Sequence, residues 1–197
     1  MDVTTRARIR AGDQHAFAGL FDEFAKAVYN HAYRLTGDWS AAEDVVSLTF
    51  LEAWRLRERI DPDGGSLRPW LLGVATNVTR NQRRAARRHQ EAMARMPRAD
   101  PVPDFADELI GRVADAQRLT DVRAAFAKLR RHEQDVLSLC VGAGLDYAEA
   151  AEALGIPVGT VRSRLSRARK KLELAAGPRQ VRDDRGTAVR SVKESTP

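Results

Sequence analysis

Apolar side chains recur every three or four residues along most of this chain, which is the spacing of amphipathic helices. The first such run extends from Asp13 to about Leu35, and Gly37 follows it as a stop signal. His31 falls on the apolar side of this helix, where we interpret it as a hydrogen-bonded interface residue and not as a metal ligand. The pattern as a whole predicts an all-α fold.

A second helix is predicted to begin at Ser40, because Ser40-Ala-Ala-Glu43 matches a capping box, and to continue to about Glu58. Its apolar residues surround the helix instead of forming one stripe. Either the rest of the domain covers them all, or part of this surface docks another protein. The residues concerned are Val45, Val46, Leu48, Phe50, Leu51, Ala53, Trp54 and Leu56.

A loop and a third helix come next. Proline, paired glycines and two aspartates mark residues 60–65 as a loop, and Ser66 can cap the helix after it. That helix is apolar at first and then basic, with five arginines and no acid at Arg80, Arg83, Arg84, Arg87 and Arg88. A solvated helix end is the plain interpretation. Five neighbouring cations are better explained by a phosphate backbone beside them.

The apolar spacing fades between residues 91 and 118, where prolines alternate with acidic residues. This composition predicts a flexible linker with a short acidic helix near its end. Helical spacing returns at Val122 and predicts a second compact helical domain, and the polar remainder is predicted to be disordered. We therefore divide the chain into a first domain (1–90), a linker (91–118), a second domain (119–175) and a tail (176–197).

The second domain ends in the pattern of a DNA-reading helix-turn-helix. A short helix follows Asp146, its N-cap, and Gly155 stops it, while Pro157 suits the first turn of the next helix. Tyr147 and Val158 are predicted to face inward. The outward face of the last helix has six positive charges and no acid, and its N-terminal residues are placed to reach the major groove. The candidates for groove contact are Gly159, Thr160, Arg162, Ser163, Ser166 and Arg167.

Composition narrows the function further. The 197 residues have a net charge of +6 and a sequence pI near 10.0, which favours a polyanionic partner. Cys140 is the only cysteine and lies in an apolar run, so it is interpreted as a small core residue. The four histidines lack ligand spacing, and neither a phosphate loop nor a nucleophile motif is visible. We expect no catalytic residue, no metal and no cofactor, and, without a signal peptide or membrane span, a cytoplasmic protein.

Three segments together resemble bacterial RNA polymerase sigma factors of the extracytoplasmic function (ECF) group, in the sigma-70 family. They are Ala41–Trp54, Leu67–Asn77 and Gly144–Leu172, and the likeness covers about Asp13 to Leu172. The resemblance implies a helical region 2 domain and a helix-turn-helix region 4 domain. In the family the first segment docks on core RNA polymerase, and the matching positions here are Asp44, Val45, Leu48, Phe50, Leu51 and Trp54.

The resemblance also implies how promoter DNA is engaged. The family uses the loop and basic helix of region 2 to hold the minus-ten element, and the residues concerned are Asp61, Asp63, Ser66, Asn77, Arg80, Arg83 and Arg84. The helix-turn-helix reads the minus-thirty-five element. The implied function is to bind core polymerase, recognise and melt a restricted set of promoters and initiate transcription. An anti-sigma factor is an expected further partner.

Two other functions are weighed against this one. A regulator that binds duplex DNA alone would carry a similar helix-turn-helix, but it leaves the apolar helix and the arginine cluster without a role. An enzyme acting on nucleic acid could use Asp44, Asp61 or Asp63 as metal ligands, but these carboxylates are sparse.

Overall fold

The computed structural model describes residues 3–93 and 113–176, with side chains for 5–93 and 120–175. Over these residues the chain forms eight α-helices and no strand, in agreement with the predicted all-α fold. Most of the predicted linker and nearly all of the predicted tail lie outside the described residues. The helices are α1 (Val3–Arg10), α2 (Gln14–Thr36), α3 (Trp39–Arg55), α4 (Arg68–Met93), α5 (Val113–Ala127), α6 (Arg131–Leu137), α7 (Tyr147–Leu154) and α8 (Val158–Ala176).

The limits of α2 follow from its two caps and match the prediction. The Asp13 carboxylate accepts hydrogen bonds from the backbone N–H groups of His15 (2.9 Å) and Ala16 (3.1 Å). At the other end Gly37 adopts the left-handed conformation, with φ 74°, and donates its N–H to the Tyr33 carbonyl. Both signals are local, so the sequence is sufficient to identify them.

The start of α3 differs from the prediction. The N-cap is Asp38, whose carboxylate accepts from the Ala41 N–H at 2.7 Å, and not Ser40, which already lies within the helix. Asp38 is as good a cap as serine, and capping there adds the first residues, including Trp39, to the helix. The predicted capping box with Glu43 is therefore wrong, although the helix itself is present.

The helix-turn-helix is present with its predicted caps. Asp146 and Glu149 form a reciprocal capping box, and Gly155 ends α7 with φ 62°. Two residues predicted to face inward do not do so, since Tyr147 is 38% exposed and Val158 37% exposed. The first turn of each helix lies at the rim of the domain, where the side chain is only partly covered.

The two domains pack directly on each other. In the first domain α2, α3 and α4 enclose a core, with α1 against α2; in the second, α8 packs on α5, α6 and α7. A π-helical turn, Ser138–Gly142, follows α6 and touches α2, and α4 lies against α7. Most buried apolar residues of both domains form one continuous cluster, and Ala32, Ala42 and Val45 form a smaller one between α2 and α3. Helix α5 begins at Val113, within the segment that the sequence assigns to a linker.

Candidate nucleic-acid and polymerase interfaces

Helix α8 presents the predicted reading face to solvent. Val161, Leu165 and Ala168 are buried against the domain, which directs the residues between them outward. All six predicted groove residues lie at the surface, with Thr160 the most covered. The outward positions are Gly159, Thr160, Arg162, Ser163, Ser166 and Arg167.

Two of the α8 arginines are held in place before any DNA is bound. The Arg162 guanidinium lies 5.6 Å from the centre of the Tyr147 ring, a cation–π contact that links α7 and α8. Arg167 donates to the Ser163 carbonyl at 3.1 Å, one turn earlier. Restricting these long side chains reduces the entropy that DNA binding would otherwise remove.

The arginine cluster on α4 is divided between solvent and the second domain. Arg84 is exposed. Arg80 donates to the Asp135 carboxylate of α6 at 2.6 Å and 3.0 Å, and Arg83 donates to the side-chain oxygen of Gln134 at 3.2 Å. Asn77 is exposed and accepts from Arg80 at 3.3 Å. In this conformation the predicted minus-ten residues are therefore only partly accessible.

The loop after α3 is held by a residue that sequence reasoning missed. Arg6 of α1 is only 5% exposed, and it donates to the carbonyl oxygens of Asp61, at 2.7 Å, and Gly65. Arg10 donates to the Ile60 carbonyl at 2.8 Å. Three loop carbonyls thus receive guanidinium donors from α1, while the side chains of Asp61, Asp63 and Ser66 remain at the surface.

A signal for this role is faint in the sequence. The segment Val3–Arg10 has alternating arginines and a single large apolar residue, Ile9, so it resembles a polar terminus. Ile9 is fully buried and fixes α1 against the core. Only the folded structure shows that Arg6 lies on the same side as Ile9, under the loop.

The six predicted polymerase-docking residues on α3 differ in how exposed their side chains are. Val45 (0% exposed) and Phe50 (6%) belong to the core, so their side chains are not offered to a partner in this structure. Leu48 and Leu51 are 40% and 59% exposed. Asp44 is also exposed, and Trp54 is half-buried, with its ring 5.0 Å from the Phe17 ring.

The exposed leucines border a groove between α3 and α4. It has a volume of about 380 Å³, and Val74 and Val78 of α4 continue its apolar lining. Glu52 and Arg55 form part of its rim. Two large exposed apolar residues beside such a groove suit a protein contact better than a solvated surface.

Several buried polar groups join the two domains. His31 of α2 is fully buried, with Nε2 2.8 Å from the Thr76 hydroxyl and Nδ1 3.0 Å from the Ser138 hydroxyl. Burial, assisted by the nearby Arg34 charge, lowers the pKa of His31 to about 3, so the ring is neutral. Its interpretation as a hydrogen-bonded interface residue is correct. Burial raises the pKa of Asp135, although the Arg80 charge opposes this.

A larger groove of about 1020 Å³ lies between the domains. Its apolar floor includes Leu35 and Phe126, and among the described residues that line it none is acidic. Burial lowers the pKa of Arg83, which lies within this groove. The arginines along it are Arg34, Arg83, Arg87, Arg123, Arg130 and Arg131.

Other kinds of site find little support among the described residues. Within residues 3–93 and 113–176, no group of three or more His, Cys, Asp or Glu side chains is arranged to hold a metal ion. Cys140 is half-buried, and burial raises the pKa of its thiol, which disfavours the reactive thiolate. No described helix combines the length and the apolar character that crossing a membrane requires.

These features define a class of protein: it is all-helical, and it combines a helix-turn-helix reading face with a basic helix and an exposed apolar patch. Sequence comparison then identifies the family. Residues 20–89 match sigma-70 region 2 and residues 119–172 match sigma-70 region 4. The ECF RNA polymerase sigma factor SigL of Mycobacterium tuberculosis is 34% identical over 164 residues, 83% of this chain and 90% of SigL. The chain belongs to the ECF group of RNA polymerase sigma factors and directs promoter-specific transcription.

Solved structures agree with this assignment. CnrH, in complex with the cytosolic domain of CnrY, matches with a TM-score of 0.63 and 28% identity, over 87% of this chain and 94% of that one. RpoE of Bartonella quintana, in complex with the anti-sigma factor NepR, matches with a TM-score of 0.62 and 25% identity, over 81% and 96%.

Proposed function

We propose that this sigma factor uses three surfaces of its own to bring core RNA polymerase to a promoter. The outward face of α8 reads the minus-thirty-five element as duplex. The loop at Asp61–Ser66 and the α4 arginine cluster engage the minus-ten element. The patch formed by Leu48 and Leu51 docks on the polymerase. The observation that carries the proposal is the presence of all three surfaces on one chain, because a lone DNA-binding regulator needs only the first.

At the minus-thirty-five element, Arg162 and its neighbours determine the sequence preference. An arginine that donates two bonds to a guanine edge contributes ~1–3 kcal/mol of discrimination. Arg164, Arg169 and Lys170 lie farther along the helix and suit contacts with phosphate, which add affinity but no sequence information.

At the minus-ten element, melting requires that a base be extruded from the stack, at a cost of a few kcal/mol. Neutralisation of phosphates by Arg80, Arg83 and Arg84 offsets part of that cost, and polymerase contacts supply the remainder. No nucleotide hydrolysis is needed, and we assign no chemical step to the chain itself.

The domain boundaries at residues 90, 118 and 175 remain part of this proposal.

We further propose that a protein antagonist regulates the factor, because CnrH and the Bartonella RpoE were each solved in complex with a second protein. The groove between the domains combines an apolar floor with a rim of arginines, which suits an acidic amphipathic helix. A cytoplasmic location is part of the same proposal, because core polymerase and promoter DNA are found there.

The test is run-off transcription with core polymerase that lacks any sigma factor, on a library of genomic promoters. Addition of the protein should produce defined start sites that share two elements upstream. Tight duplex binding by the protein alone, with no transcripts, would favour the lone regulator instead. A Leu48→Asp, Leu51→Asp variant serves as the matched control, since it should still bind duplex DNA but not support transcription.

A further inference from the structure

The reading helix α8 has two flanks, and α6 lies along one of them. Arg164, Arg167 and Lys171 follow one another on this flank, at steps of three and four residues. Lys171 donates to both carboxylate oxygens of Glu133 in α6, each at 2.8 Å. This pair fixes the first turn of α6 against α8, and His132 in that turn is close enough to Arg164 and Arg167 for their charges to act on it.

The cations on this flank are not all neutralised within the protein. Glu133 has a side chain that is 1% exposed and is committed to Lys171, and it also accepts the Arg130 N–H at 2.9 Å. Burial acts to raise the pKa of Glu133, but the Lys171 bond and then the Arg130 N–H lower it overall, so the carboxylate stays ionised. Among the described residues, no carboxylate pairs with Arg130 or Arg164. The guanidinium groups of these two arginines are therefore available to an external anion.

His132 is largely uncharged at neutral pH in the free protein. Burial lowers its pKa from the ordinary 6.5, and the charge of Arg164 adds to this effect. Arg130 and Arg167 act in the same direction, whereas Glu133 opposes them. A phosphate beside the ring would change this balance, because a nearby anion favours the charged imidazole.

The other charged groups of α6 face the basic helix α4. Asp135 pairs with Arg80 at 2.6 Å, and Arg131 lines the same groove as Arg83. The charge of His132 acts on Asp135, so a proton on His132 would favour the ionised form of that carboxylate. Of the groups that surround the first turn of α6, His132 is the one whose ordinary pKa lies between pH 6 and pH 8.

The dimensions of DNA put a phosphate backbone along this flank. The major groove is about 12 Å wide, and a helix with its side chains is about 10–12 Å across, so a helix in the groove has a backbone on each side. On the α6 side, the side chains next to the groove residue Arg167 are those of Arg164 and His132, and Arg130 follows on the turn before α6. We expect these three side chains to meet the backbone when α8 enters the groove.

We propose that Arg130, His132 and Arg164 hold a phosphate group of the minus-thirty-five duplex on the α6 flank of α8, and that His132 takes up a proton as the DNA binds. The affinity for duplex DNA then rises as the pH falls. This phosphate site rests on the proposed role of α8 in duplex binding, but its contacts carry no sequence information. It can therefore be tested on any duplex, whereas sequence preference tests the proposed function.

The experiment is a fluorescence anisotropy titration of short labelled duplexes with the full-length protein, at pH 6 and at pH 8 and at constant ionic strength. One duplex carries the minus-thirty-five element found by run-off transcription, and the other carries a scrambled sequence. The dissociation constant of the wild type should be about tenfold lower at pH 6 than at pH 8 for both duplexes. The slope of log affinity against log salt concentration should be steeper at pH 6 by up to ~0.9, the contribution of one further phosphate contact.

Two substitutions separate the charge of His132 from its packing. His132→Gln cannot take up the proton, so its dissociation constant should be nearly the same at the two pH values. His132→Arg carries a permanent charge and should bind both duplexes at pH 8 about tenfold more tightly than the wild type. The matched control is His15→Gln, at an exposed histidine of α2 in the other domain, which should keep the wild-type pH dependence. Circular dichroism at both pH values checks that each variant is folded.

The outcomes separate the phosphate site from the proposed function. A wild-type dissociation constant that changes less than about threefold between the two pH values would overturn the site. A His132→Gln variant with the wild-type pH dependence, or a His132→Arg variant that binds no more tightly at pH 8, would do the same. If both duplexes show the expected pH dependence but bind equally well, the site stands and the reading of the minus-thirty-five element by α8 fails. If neither duplex binds at low salt, the duplex-binding role of α8 fails and the site fails with it.

Discussion

Replacing Arg6 with alanine should release the loop that we assign to the minus-ten element. The guanidinium of Arg6, on α1, donates to the carbonyl oxygens of Asp61 and Gly65 in the loop. Neither carbonyl has a substitute donor on α1, since Arg10 is already engaged with Ile60. The loop would then keep its side chains but lose its fixed shape.

The size of the effect follows from the contacts. A hydrogen bond that involves a charged group contributes about 1.5–3 kcal/mol, so two contribute at most ~6 kcal/mol. Asp61 and Gly65 are exposed, and their freed carbonyls would recover water, which brings the expected loss of unfolding free energy to about 2–4 kcal/mol. Ordering a freed loop residue again on DNA costs ~1–2 kcal/mol, enough to slow promoter melting about tenfold.

Two assays separate these effects, with Arg8→Ala as the control. Arg8 lies on the same helix but pairs with Asp13 at the surface, with its side chain 54% exposed, so its loss should cost under ~1 kcal/mol. Urea unfolding measures stability. Permanganate reactivity of minus-ten thymines, followed over time with reconstituted holoenzyme, measures melting. If Arg6→Ala and Arg8→Ala have the same unfolding free energy and the same rate of promoter melting, the loop does not depend on Arg6.

Three further predictions concern other surfaces. Leu51→Asp should weaken core polymerase binding at least tenfold in a pull-down titration without loss of helicity, whereas Leu174→Asp, at another exposed leucine on α8, should not; loss of helicity would instead give Leu51 a structural role. Arg162→Ala should relax minus-thirty-five selection in a promoter library by ~1–3 kcal/mol, and unchanged selection would exclude that contact. Acidification from pH 7.5 to 5.5 should lower the unfolding free energy in urea titrations by about 1.4 kcal/mol, because His31, whose pKa is about 3 in the folded protein, takes up a proton near its ordinary pKa of 6.5 once it is solvated. The raised pKa of Asp135 acts in the opposite direction, since protonation of that carboxyl favours the folded state. A His31→Asn variant should therefore lose less unfolding free energy than wild type over the same pH range, and an equal loss would mean that His31 is not responsible.

Local signals in the sequence predicted local structure well. Gly37, Asp146 and Gly155 all cap the helices that they were expected to cap, since a cap needs only its own neighbouring backbone. Asp13, where the first helical run was expected to begin, is the N-cap of α2. The exception is Ser40, because Asp38 is an equally suitable N-cap two residues earlier and is the residue that caps α3. Choosing between them depends on where α3 meets its neighbours, which no local pattern records.

Which apolar residues of α3 are buried could be seen only in the folded structure. Val45, Phe50, Leu48 and Leu51 are equally apolar in the sequence, and only the packing of α2 and α4 decides which are covered. The first two are core and the second two are exposed. A family resemblance assigns a whole segment to docking and cannot make this distinction. The contact residues on α3 are therefore a proposal refined by the structure.

The packing of the two domains against each other had no sequence signal. Gln134 and Asp135 have the character of ordinary solvated helix residues, and their partners on α4 are 51 and 55 positions away. Such long-range pairs form only after both domains have folded. The net charge of the arginine cluster does not predict these pairs either, because a cluster of arginines suits a phosphate backbone and a buried carboxylate equally well.

Arg80 consequently has two proposed partners, and its substitution alone cannot show which one matters. Arg80→Ala removes the proposed DNA contact and the Asp135 pair together, so a loss of transcription cannot be assigned to either one. Asp135→Asn removes only the internal pair and should raise minus-ten binding. In a double-mutant cycle scored by oligonucleotide binding, Asp135→Asn should therefore help strongly when Arg80 is present and much less when it is absent. Equal gains in both backgrounds would mean that Asp135 acts through the charge of the surface and not through Arg80.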